Sequence, residues 1–265
     1  MNLDGHRARR RFSQNFLHDR AQIARIVGAI DPKPGEALIE IGPGLGALTG
    51  SLVEAAGRLT AVELDRDLAQ RLRERFTPEQ LDLVEGDALK VDWANLVGGI
   101  HKPVRIVGNL PYHVSTPLLF ALVPIADRVV DQHFLLQREV VDRIVAAPET
   151  EDYGRLSVML QFRYRAESLF DIGPGAFTPA PKVWSSVVRL VPRPVAELPD
   201  VDPRAFARVV TAAFSQRRKT LRNALGQLLD EVRIRAAGVD PMRRGETLDV
   251  EAFVRLARDV ALETH

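Results

Sequence analysis

The stretch Leu38-Ile-Glu-Ile-Gly-Pro-Gly-Leu-Gly-Ala-Leu-Thr49 constrains this chain more than any other. Its apolar residues read as a buried strand ending at Ile41, glycines follow at 42, 44 and 46, and a helical pattern opens at once. Glycine lets the backbone turn sharply there and lets a ligand approach with no Cβ in the way. The spacing is Gly-x-Gly-x-Gly. It is not the Gly-x-Gly-x-x-Gly of dinucleotide sites, and no Lys-Ser/Thr follows as a phosphate loop requires. In an open α/β sheet such a turn lies at the carboxyl ends of the strands, where ligands bind. A plain tight turn would use the same glycines, so the motif needs company.

The company is an alternation of strands and helices. Strands are predicted at Ala37–Ile41, Leu59–Glu63, Leu81–Glu85, Val104–Gly108 and His133–Gln137. Helical stretches separate them, among them Leu45–Ala56, Asp67–Phe76 and Thr116–Ile125. This order implies an α/β fold with a doubly wound, Rossmann-like parallel sheet. Two more strand-like runs follow at Leu156–Phe162 and Val183–Val191, and the proline-rich Val191–Asp200 reads as a linker. Beyond it the pattern is helical, at Pro203–Phe214, Thr220–Leu229 and Val250–Leu262. The expected organisation is a ligand-binding domain at 1–190 and a small C-terminal helical domain at 200–265.

Several functions are excluded early. The 265 residues hold no cysteine, which removes disulfides, thiolate metal sites and cysteine nucleophiles. The six histidines lie far apart without ligand spacing, so no metal is expected. No run is long and apolar enough to span a bilayer, and the N-terminus has no apolar segment, so the expected location is cytoplasmic and no membrane partner is foreseen. Net charge is only +1, but it is unevenly spread. Residues 31–100 carry thirteen acidic against seven basic side chains, whereas residues 201–245 carry ten basic against four acidic. Six arginines, including Arg9, Arg10 and Arg11, lie in the first 30 residues. Basic ends around an acidic middle place polyanion-facing surfaces outside the first half of the core, although exposed Arg-rich helices would look the same.

The strand ends present a set of polar groups. Glu63 ends the second strand, about 20 residues past the glycine loop, where an acid can accept both hydroxyls of a ribose. The third strand runs into Glu85-Gly-Asp87, and the fourth into Gly108-Asn-Leu-Pro-Tyr112. Glu63, Asp87 and Asn109 thus face one crevice. A solvated strand-end carboxylate explains any one of them, but poorly explains all three beside a glycine loop.

The ordered set resembles the ribosomal RNA adenine dimethyltransferase family, whose bacterial small-subunit members are the KsgA enzymes. The matching pieces are Gln14-Asn-Phe-Leu17, Glu40-Ile-Gly-Pro-Gly-Leu-Gly46, Val62-Glu-Leu-Asp65, Gly86-Asp87, Asn109-Leu-Pro-Tyr112 and Phe177-Thr-Pro-Ala-Pro-Lys-Val183. The resemblance implies S-adenosylmethionine as methyl donor. Asn15 and Leu17 are then expected to close over it, Gly42 to lie against its methionine part, Glu63 to hold the ribose and Asp87 the adenine amino group, with Gly44 also among the cofactor-binding residues. Asn109 is expected between the sulfonium and the target base. It also implies dimethylation of N6 on two adjacent adenines near the 3′ end of small-subunit ribosomal RNA within the assembling 30S subunit, by a monomer.

The chemistry suits the motif. The N6 amino group of adenine is a poor nucleophile because its lone pair is delocalised into the ring. Two acceptors, the Asn109 side-chain oxygen and the Leu110 carbonyl, can hold both N6 hydrogens and favour a pyramidal nitrogen. Pro111 restricts Leu110 to extended geometry. Tyr112 can stack on an extruded base and Phe177 can cover its other face. RNA phosphates are expected at Arg217, Arg218 and Lys219, and at the Arg9–Arg11 arm. Two rivals stay open: an enzyme with the same core that modifies large-subunit RNA, and a non-catalytic RNA-binding factor.

Overall fold

A computed structural model describes residues 15–111, 114–216 and 218–260. The strands β1 (Phe16–Leu17), β2 (Ala37–Ile41), β3 (Leu59–Glu63), β4 (Leu81–Glu85), β5 (Val104–Asn109), β6 (Val129–Gln137), β7 (Tyr164–Ile172), β8 (Phe177–Thr178) and β9 (Ser185–Pro192) form two sheets. The main sheet has the order β4-β3-β2-β5-β6-β9-β7. Strands β2 to β6 pair in parallel, while β9 runs antiparallel to β6. The winding goes outward from β2 through β3 to β4, then returns to the other side of β2 for β5 and β6. That reversal makes a crevice between β2 and β5.

Helices α1 (Arg20–Ile30), α2 (Thr49–Ala56), α3 (Arg66–Arg75), α4 (Trp93–Gly98) and α5 (Ser115–Leu122) lie in the connections. Asp19, Asp65 and Asp92 cap α1, α3 and α4, each accepting from backbone N–H groups of the first turn. The central strands carry near-continuous apolar runs because both faces are covered; Ile39, Ala61, Val104, Ile106 and Val107 are fully buried.

The described chain divides into two compact units, one of residues up to Val141 with Glu167–Pro192, the other of Asp142–Ala166 with the residues from Arg193 onward. The division differs from a cut near 190–200, because residues 142–166 join the C-terminal helices. The cause is α7 (Arg155–Arg163), a helix where a strand is expected at Leu156–Phe162. A short apolar run does not declare its period. Here Ser157 accepts from the Gly154 N–H (3.0 Å), and Val158 and Phe162 pack into the second unit's core, with the Phe162 and Phe206 rings stacked at 4.2 Å.

The expected linker is also fastened within that unit. The Arg193 N–H donates to Arg163 O (2.9 Å), and Arg163 Nη1 donates to Arg193 O (2.6 Å). The remaining helices there are α8 (Pro203–Phe214), α9 (Leu221–Ala224), α10 (Glu231–Ala236) and α11 (Val250–Arg258), after α6 (Arg138–Val145), which straddles the division. Helix α9 is one turn long rather than the ten residues expected from Thr220.

Candidate active site

Strand register assembles the site. Ile41 pairs with Val62 of β3 and with Gly108 of β5, so Gly42, Glu63 and Asn109 leave the sheet side by side. Gly42, Gly44 and Gly46 have φ of +68°, +60° and +78°, conformations that side chains rarely adopt. Gly108 answers a different demand. A Cβ there would lie 2.5 Å from Ile41 O, so only glycine lets β5 run this close to β2.

One cleft at this edge is lined by Asn15, Leu17, Gly42, Gly44, Glu63, Asp87, Asn109, Leu110, Pro111 and Phe177. The sequence-predicted residues for cofactor and base therefore share one surface wherever the structure describes them. Tyr112 lies outside the described residues. Arg218 and Lys219 are exposed on the turn after α8, in the second unit, and line no part of the cleft. Arg217, Arg9, Arg10 and Arg11 lie outside the described residues.

Glu63 is 6% exposed, and its carboxylate is held from both ends: the Gly44 N–H donates to Oε2 (3.0 Å) and the Asp65 N–H to Oε1 (2.8 Å). Burial pushes its pKa up, and those two backbone donors oppose the rise. Asp87 is half-buried and shapes the next loop, accepting from the Leu89 N–H (3.0 Å). Asn109 donates from Nδ2 to the carbonyl of Asn15 (3.3 Å), which leaves its Oδ1 as the acceptor end of the amide. The Leu110 N–H is spent on Leu135 O (3.1 Å).

Asn15 and Phe177 meet the site through the smaller sheet. Strand β1 pairs antiparallel with β8, Leu17 opposite Phe177, and the His18 N–H donates to Ala176 O (3.0 Å). Segments 160 residues apart are thereby stitched together above the glycine loop; a Cβ on Gly44 would touch the Phe16 ring at 3.4 Å.

The sequence reading gave Glu40 no role. It is 1% exposed, lines the cleft and accepts from the Thr49 hydroxyl (2.6 Å). Burial first, and then the charge of Glu63, raise its pKa to about 7 against the opposing Thr49 hydrogen bond. The signal was an acid inside the apolar strand Leu38-Ile-Glu-Ile41.

The arrangement fits a nucleoside bearing a charged tail. A buried acid already fixed by backbone donors keeps lone pairs for hydroxyls, a second acid stands on the neighbouring strand end, and bare glycine backbone lies between. Among the described residues no cluster of His, Asp or Glu is arranged to hold a metal, and no helix is long and apolar enough to cross a membrane.

Comparison with known proteins decides the family. The model of the ribosomal RNA adenine dimethylases matches residues 5–261. The chain belongs to that family. It is 57% identical over 262 residues to a ribosomal RNA small subunit methyltransferase A of Aromatoleum aromaticum, covering 99% of this chain and 97% of that one. The protein of the same name from Pseudomonas aeruginosa is 53% identical, with 97% and 96% covered. Among solved structures, a dimethyladenosine transferase of Plasmodium falciparum shares the fold with a TM-score of 0.75 at 23% identity, over 91% of this chain and 95% of that one. The 23S rRNA methyltransferase ErmE follows at 0.69 and 26% identity, over 93% and 99%. Family membership makes this α/β chain a methyltransferase by class, with the fold its motifs imply.

Proposed function

We propose that this chain transfers methyl groups from S-adenosylmethionine to N6 of two adjacent adenines near the 3′ end of small-subunit ribosomal RNA. The observation that carries the reading is the convergence of Glu63, Asp87 and the Asn109–Pro111 turn on one cleft beside the glycine loop. The names of relatives more than 50% identical support the small-subunit substrate.

S-adenosylmethionine supplies an activated methyl on its sulfonium. In this reading Glu63 accepts the ribose hydroxyls, Asp87 accepts from the adenine amino group, and Gly42 and Gly44 give the methionine part an approach free of Cβ atoms. Asn15 and Leu17 close the cleft from the β1 side. The target N6 donates its two hydrogens to Asn109 Oδ1 and to the Leu110 carbonyl. The bond from Asn109 Nδ2 to Asn15 supports this assignment, because it holds the amide with Oδ1 as the acceptor. Pro111 fixes the backbone that aims the carbonyl, while Tyr112 and Phe177 hold the base between aromatic faces. Alignment and preorganised dipoles then carry the catalysis, and the proton that N6 gives up at each transfer passes to solvent. Arg217, Arg218, Lys219 and the Arg9–Arg11 arm take RNA phosphates.

In this reading the enzyme acts as a cytoplasmic monomer on the assembling small subunit. The test is transfer of labelled methyl groups to unmethylated small and large subunits, followed by mass mapping of the RNA. Two adjacent dimethyladenines in the small-subunit fragment are expected. Label confined to large-subunit RNA sinks the reading in favour of the activity in ErmE's name, and no transfer to either sinks both.

A further inference from the structure

The chain has two tryptophans, and they are treated oppositely. Trp93 is 4% exposed and donates from its indole nitrogen to Ala88 O (2.9 Å); Trp184 is 53% exposed. We propose that Trp184 is a stacking platform for an unpaired base of the substrate RNA close to the target adenine, with Lys182 meeting the adjoining phosphate. This deepens the function proposed above and rests on it.

The position of Trp184 follows from register. Asn109 pairs with Leu135 and Leu135 with Val187, so the three form one row across β5, β6 and β9. Trp184 lies three residues before Val187, beyond the carboxyl end of β6, whose last residue Gln137 faces Ser185. With ~4.8 Å between strands and ~3.3 Å per residue, the Cα of Trp184 is ~14 Å from that of Asn109. It stands on the same sheet edge as the cleft, too far away to touch the target base and close enough for a neighbouring nucleotide.

Its surroundings make it a fixed platform. The Arg138 N–H donates to the Trp184 carbonyl (2.9 Å), anchoring the backbone. The ring edge rests beside Gly173, where a Cβ would come within 3.6 Å of Cη2. Pro179 and Pro181 stiffen the segment that leads from Phe177 in the cleft to Lys182, Val183 and Trp184, all three exposed. An indole fixed in this way loses little conformational freedom on meeting a base, and base–aromatic stacking tolerates any sequence. Lys182 on the same loop supplies the positive charge that a polyanion requires, while the exposed Arg138 beside it is held by Asp171 (3.2 Å).

The test uses the full chain, unmethylated small-subunit ribosomal RNA and labelled donor, with W184A and W184F. Losing one stacked base in W184A is expected to raise KM for RNA about tenfold, while W184F stays within about threefold of the wild type. In both variants kcat and cofactor affinity hold, which separates a platform from a fold defect. RNA is also expected to quench the wild-type tryptophan emission, and W184F, left with buried Trp93, to lose that quenching. An unchanged KM in W184A, or unchanged wild-type emission at saturating RNA, overturns the inference. A wild type that binds this RNA without methylating it overturns the proposed function instead, and the emission result then decides the platform alone.

Discussion

The two edges of the main sheet handle buried charge in opposite ways. At the amino edge, Asp131 is gripped by Arg105, whose Nε and Nη2 donate to its two carboxylate oxygens at 2.8 and 2.9 Å. Glu36 takes Arg105 Nη1 at 3.0 Å, and Arg189 Nη2 and His133 Nδ1 approach Asp131 at 3.5 and 3.6 Å. Burial alone would raise the pKa of Asp131, but the nearby His133 ring and the paired hydrogen bonds and charge of Arg105 overcome it and hold the carboxylate well below its usual range. At the carboxyl edge, Glu40 and Glu63 are as deeply buried, yet among the described residues neither is paired with a Lys or Arg, and both pKa values rise. One edge spends its charges on itself. The other keeps acceptors unpaired with cations, at a cost in stability, where a ligand can use them.

Three measurements test that contrast. Asp131→Ala has the largest expected effect, because it leaves the buried Arg105 with only the more exposed Glu36 as counter-charge; the loss is about 3–5 kcal/mol in denaturant unfolding. Cofactor affinity of the folded fraction stays unchanged, and a variant that remains stable would mean the amino-edge network is ornamental.

The second measurement concerns pH. Glu40 keeps its proton in the folded state between its ordinary value of 4.5 and about 7. The folded chain therefore binds more protons than the unfolded one in that window, and stability falls as pH rises through it. Asp131 works in the reverse sense, its contribution present above its ordinary value and lost as pH falls through the depressed one. Glu40→Gln is expected to flatten the decline, with a gain on the order of 3 kcal/mol at the alkaline end. Unfolding midpoints measured across the window check this, and identical slopes in variant and wild type would refute the raised value.

The third and smallest is Glu63→Ala, expected to weaken S-adenosylmethionine binding by roughly 1–3 kcal/mol in calorimetry, the scale of lost hydrogen bonds to a charged group. Unfolding stability changes little, since removal of a buried acid without a cation is offset by the Gly44 and Asp65 N–H groups losing their acceptor. Unchanged affinity in a folded variant takes Glu63 out of the site.

Much of the site was legible in the sequence because strand ends are local. Wherever an apolar run stops and a helix begins, the residue between them is placed at an edge, and Gly42, Glu63, Asp87 and Asn109 were all found in that way. Other features were hidden because their cause is distant in the chain. The helix at Arg155–Arg163 reads as a strand until the packing of Val158 and Phe162 is known. Glu40 looks like one more residue of a motif, and its proton depends on a desolvation that no spacing reveals.

The sequence by itself determined the doubly wound order and the glycine turn, which rest on period and spacing along the chain, and its ordered motifs carried the resemblance to the family. Only the tertiary structure decided that Leu17 pairs with Phe177, that Gly108 must be bare against Ile41, and that Asp131 is matched where Glu40 is not. Those are facts about groups brought together from afar, and both contact and dielectric exist only once the chain has folded.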